Sequence, residues 1–107
     1  MPINYGVLYQ GQLGNAVATL FTVAAGQTNV IKLVTVVNTD SSTRTFGFNV
    51  NGTAAANAVT PTSISIAAGA AWEWNPSGMT LGAAATFAGG ASVATKLTTT
   101  VYGATIS

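Results

Sequence analysis

Thr28-Asn29-Val30-Ile31-Lys32-Leu33-Val34-Thr35-Val36-Val37-Asn38 is the stretch whose reading decides the fold. Its run of β-branched and aliphatic side chains disfavours a helix and is too short to cross a bilayer. Side chains alternate across a strand, so strict alternation turns Val30, Val34 and Val36 one way and Ile31, Leu33 and Val37 the other. Both faces are then apolar, and one thin sheet cannot cover both. The stretch reads as the central strand of a sandwich, with a second sheet on one side and another subunit on the other.

Working outward, Val17 to Val23 alternates Val17, Thr19, Phe21 and Val23 against Ala18, Leu20 and Thr22, and Ala25-Gly26-Gln27 turns the chain into the central strand. That is a hairpin pattern. After the polar loop Thr39 to Thr43, Arg44 to Val50 places Phe46, Phe48 and Val50 on one face. Asn51-Gly52 tolerates the positive φ of a type I′ turn, and the alanine-rich stretch to Ala58 is short and uncapped, hence loop. Thr62 to Ile66 turns Ile64 and Ile66 inward. Ala71 to Asn75 puts Trp72 and Trp74 on the face opposite Glu73. Short strands at Met79 to Leu81 and Ala85 to Ala88, a turn at Gly89-Gly90, and a last strand from Val93 to Tyr102 complete the chain. Strands and turns at this spacing indicate a single-domain antiparallel β-sandwich, all-β, jelly-roll-like or Ig-like.

Residues 1–15 differ from the domain expected over 16–107. Ile3, Tyr5, Val7 and Tyr9 alternate with Asn4, Gly6, Leu8 and Gln10, ahead of a Gly/Gln/Asn-rich joint. This is an extended N-terminal arm, to be buried either as an edge strand of its own domain or across a neighbour by strand addition.

Composition excludes more chemistry than it suggests. At 107 residues the chain can bury a core without staples, and it contains neither cysteine nor histidine. Thiol chemistry, zinc-thiolate sites and the commonest general base are therefore excluded. Charged residues make up 5%, against about 25% in average soluble domains. They are Lys32, Arg44, Lys96, Asp40 and Glu73. No basic stripe offers itself to nucleic acid, no span or lipidation signal to a membrane, and no basic and apolar leader to a secretory pathway. Near-neutral surfaces associate, so a self-associating protein is expected.

Hydrolysis by paired carboxylates would need Asp40 and Glu73 at one cleft, and they lie on separate segments. Serine or threonine nucleophiles lack a histidine, leaving only a lysine dyad on Lys32 or Lys96 formally open. Ala88-Gly89-Gly90 lacks the helix and lysine of a phosphate loop. Two carboxylates are too few for a hard-cation site. No enzyme, cofactor or metal is expected. Trp72, Trp74 or Tyr102 could instead serve as stacking platforms of a carbohydrate-binding module.

Tyr9 with Gly11-Gln12-Leu13, then Ala18-Thr19-Leu20-Phe21-Thr22-Val23-Ala24-Ala25-Gly26, then the aliphatic strand ending Val37-Asn38-Thr39, resembles small virion structural proteins of tailed bacteriophages. Ile66-Ala67-Ala68-Gly69 matches a later turn of that family. Ala24 stands where proline is usual, and Leu81-Gly82-Ala83-Ala84-Ala85 lacks the family's Gly-Asp pair.

The resemblance implies a capsid decoration (cement) protein, made in the host cytoplasm and carried on the exterior of the phage head. It would form a homo-oligomer, a trimer, lying across junctions of the major capsid protein. A tail, neck or fibre component is the alternative. The arm residues Ile3, Tyr5, Val7, Leu8 and Tyr9 are the expected capsid or subunit contact, and Val30, Val34 and Val36 the expected subunit seam.

Overall fold

The computed structural model describes residues 2–61 and 63–107; the part of the expected Thr62 to Ile66 strand that falls on Thr62 lies outside them. Among the described residues there are nine strands: β1 (Ile3–Gln12), β2 (Ala18–Thr22), β3 (Thr28–Asn38), β4 (Arg44–Val50), β5 (Ile64–Ile66), β6 (Ala71–Trp74), β7 (Met79–Leu81), β8 (Thr86–Ala91) and β9 (Leu97–Ile106). A single 3-10 turn, Ala55–Asn57, interrupts the loop after β4.

The strands form two antiparallel sheets. The larger runs β1-β9-β3-β6, with β7 also pairing β3, and the smaller runs β2-β8-β4-β5. If β6 and β7 are counted as one divided strand, this order is that of a jelly roll, in which successive strands cross between two sheets and two Greek keys result. The jelly-roll alternative is therefore the one adopted.

The crossing also corrects the expected hairpin, because β2 and β3 belong to different sheets. A period-two pattern marks a strand but does not name its partner. The arm pairs along its length with β9 of the same chain, Ile3 against Ile106 through Gln12 against Thr98, as the edge strand of the larger sheet.

The inner faces meet over Leu13, Val23, Ile31, Val34, Val36, Phe46, Phe48, Phe87, Leu97 and Val101, all buried. A row of rings crosses this core. Phe21 stacks on Phe87 at 5.6 Å, Phe87 on Phe48 at 5.3 Å, and Phe46 meets Trp72 edge-on at 4.9 Å. Offset and edge-to-face contacts of this kind add to simple area burial.

Two expected turns are displaced. Gly89-Gly90 lies inside β8, where a Cβ on Gly89 would stand 2.8 Å from Phe48 Cδ1 and one on Gly90 2.8 Å from the backbone of Ala16. These glycines admit close neighbours; they do not bend the chain. The last strand begins at Leu97 instead of Val93 and continues to Ile106, since Thr95 adopts a positive φ of 62° just ahead of it. Asn51 has the expected positive φ of 61°, but the loop it opens runs on to β5 and closes no tight hairpin.

Candidate functional site

Two register shifts decide which side chains the larger sheet presents outward. One lies in β3 between Ile31 and Leu33, the other in β1 between Val7 and Tyr9, and both face the Val101–Gly103 segment of β9. A bulge inserts one residue and inverts the alternation beyond it. Lys32 and Leu8 are the inserted residues.

Alternation inverts in β3 accordingly. Ile31 is buried before the bulge, and Val34 and Val36 after it. Val30 pairs with Ala104 and Leu33 with Tyr102, on the opposite, outer face. The expected face of Val30, Val34 and Val36 is therefore corrected: Val34 and Val36 have no exposure in the isolated chain and fill the core, while Val30 alone of the three turns outward.

The expected arm residues divide in the same way. Ile3, Tyr5 and Val7 pair with Ile106, Ala104 and Tyr102, and cross-strand partners share a face. They are among the most exposed large apolar side chains, at 47%, 76% and 56%. Leu8 and Tyr9 pack against the core, Tyr9 stacking on Phe21 at 6.3 Å.

Side by side on the outer face, β1, β9 and β3 thus carry Ile3, Tyr5 and Val7, then Tyr102, Ala104 and Ile106, then Val30 and Leu33, with Ile106, Val30 and Leu33 half-buried and Ala104 already covered by its neighbours. This apolar half gives way to a polar half where Gln10 Nε2 donates to Thr100 Oγ1 at 3.1 Å beside Thr35 and Glu73. Leu33, Ala104 and Ile106 were not anticipated from the sequence. Extending the alternation of the last strand beyond Tyr102 would have found two of them; Leu33 was hidden by the bulge.

Trp72 and Trp74 pair with Val36 and Val34 and so face inward, with Glu73 on the other side of β6 as expected. Phe48 stacks on Trp72 at 6.3 Å, and Trp74 lies 6.2 Å from Trp72. A sugar-stacking platform on Trp72 would have to displace core contacts. Asp40 is held apart from Glu73 in the loop after β3, where Arg44 Nε donates to its Oδ2 at 2.7 Å and the Ser41 N–H to its Oδ1 at 2.7 Å. The guanidinium bond first, and the Ser41 N–H second, lower the Asp40 pKa below the ordinary aspartate value.

The same loop is fastened by a buried amide. Asn38 Nδ2 donates to the carbonyls of Ser42 (2.9 Å) and Ile66 (3.0 Å), while its Oδ1 accepts from the Asp40 N–H (2.9 Å). That amide ties the end of β3 to the smaller sheet.

What the outer face can do chemically is bury apolar area and, along β1, offer main-chain hydrogen bonds. No protein-family model and no curated protein sequence matches this chain. Among solved structures, it is similar to a chain of the T13 IBDV viral particle, with a TM-score of 0.56 and 9% identity over 97% of the present chain. The likeness is one of fold, and the present chain spans about 30% of the length of that one.

Proposed function

We propose that this chain is a structural component of a virus particle. Within that class we assign it to decoration of a bacteriophage head, as a cement protein seated on the outside across junctions of the major capsid protein. The observation that carries the reading is the jelly-roll strand order joined to an outer face on which β1 exposes Ile3, Tyr5 and Val7 and carries no charge. Jelly rolls recur in capsid proteins and also in lectins and cupins, so the fold alone does not choose among them. Support for the virion reading comes from the surface, from the fold likeness to a chain of a viral particle, and from the sequence resemblance to phage accessory proteins.

Stabilisation would come from apolar area covered at the contacts, at about 25 cal/mol per Å² before the costs of association are subtracted. Five ionised side chains leave little for salt bridges to add. The role calls for no reaction, cofactor or metal.

Mixing the purified chain with expanded empty heads, and counting copies bound, tests the assignment. Saturation near one copy per major capsid protein, with heads made more resistant to heat, is the expected result. A few copies per particle would place it in the neck, tail or a fibre instead. Absence from particles, together with quenching of indole fluorescence by glycans, would remove the virion reading.

A further inference from the structure

The open edge of β1 is built to pair with itself, and we infer that two copies of this chain join there, antiparallel, about a two-fold axis at Tyr5. The main-chain geometry supplies the register. Ser107 N–H donates to the Pro2 carbonyl at 3.2 Å, one step beyond the Ile3–Ile106 pair. In an antiparallel ladder, hydrogen-bonded and non-hydrogen-bonded pairs alternate. Ahead of the bulge at Leu8, Ile3, Tyr5 and Val7 are therefore the residues whose N–H and C=O groups point away from β9. Among the described residues no strand lies on that side.

Only one antiparallel register sets these three residues against one another. It sets Tyr5 against Tyr5 of the second copy and Ile3 against Val7 in both directions, each pair exchanging both of its main-chain hydrogen bonds. Registers centred on Asn4 or Gly6 pair only two of the three with each other. The side chains agree with the backbone, since an aromatic pair at the axis is flanked by two β-branched pairs, combinations that favour cross-strand association.

The other edges are shorter than this one. β6 has four residues with Glu73 among them, β5 and β7 have three each, and β2, uncharged like β1, has five. β1 has ten, with no charge and no proline. Long uncharged edges invite a further strand, and the absence of charge on β1 removes the repulsion that two identical strands would otherwise feel. Joining two larger sheets this way would make one sheet across both copies, with the apolar half of each outer face meeting at the seam. A two-fold contact is isologous, in contrast to the trimer expected from the sequence.

The inference stands apart from the virion reading and is tested without particles. Sedimentation equilibrium of the purified chain should give a dimer. Tyr5→Lys, at a side chain 76% exposed in one copy, should fold normally and weaken the dimer at least about tenfold by setting like charges opposite each other; Val7→Lys should weaken it too. The chain has no cysteine. On mild oxidation Tyr5→Cys should therefore form a covalent dimer, since hydrogen-bonded pairs stand about 5.5 Å apart, within disulfide reach. Thr80→Cys, exposed on β7, should not.

A monomer at all concentrations overturns the inference. So does a dimer indifferent to Tyr5→Lys, or cross-linking that fails at Tyr5→Cys or is equal at Thr80→Cys. None of these outcomes bears on binding to heads, which is measured separately.

Discussion

Val30 and Val34 lie on opposite faces of the larger sheet although they are four positions apart, an even step that regular alternation would put on one face. The bulge at Lys32 is the cause, and it turns Val34 into the core and leaves Val30 outside.

Core and surface valines of one strand should therefore respond differently to truncation. Val34→Ala is expected to lower unfolding free energy by about 2 kcal/mol through lost burial and an unfilled cavity. Val30→Ala should cost about 1 kcal/mol or less. Urea denaturation of the two variants checks this, and equal losses would contradict the inverted alternation.

Gly103 sits where the bulges of β1 and β3 close in on β9. A Cβ there would run into the Val30 carbonyl, with Leu8 Cδ1 3.1 Å away. Gly103→Ala must then move backbone, and a loss of about 1–3 kcal/mol is expected, as for overpacked sites. Gly82→Ala, where nothing stands within 4 Å, is the control. It should change stability by less than about 0.5 kcal/mol.

Removing the Asn38 amide should loosen the loop as well as the fold. Asn38→Ala leaves the buried Ile66 carbonyl without its donor and frees the Asp40 N–H. A cost of about 2 kcal/mol is expected. Faster amide hydrogen exchange should be confined to the loop after β3 and its contacts with Ile66.

Acid should act through Asp40. Its folded pKa is depressed, by the Arg44 bond first and the Ser41 N–H second, so the stabilisation is complete above the unfolded value, about 4. As pH falls below that value toward the lower folded one, the native state must take up a proton it resists, and stability declines. Thermal unfolding should show a midpoint that falls below about pH 4, and in Asp40→Asn this part of the fall should be absent.

The strands were legible wherever local pattern sufficed. Phe46 and Phe48 as core, and the opposition of Glu73 to Trp72 and Trp74, follow from period-two alternation within one segment; that the indoles face inward came from their pairing with Val36 and Val34. Partners were not legible in that way. The β2 pattern is equally good for a hairpin or for a strand crossing to the other sheet, and Gly89-Gly90 reads as a turn until Phe48 and Ala16 are seen against it.

By itself, the amino-acid order determined that this protein is an all-strand sandwich with an almost uncharged surface, because alternation, branching and charge count are properties of each segment alone. Tertiary structure decided the jelly-roll order, the inversion at Lys32 and Leu8, and the side of β1 that stays open. Those depend on which strands meet across the sheet, and a bulge is defined only against its partner, so no single strand carries the information.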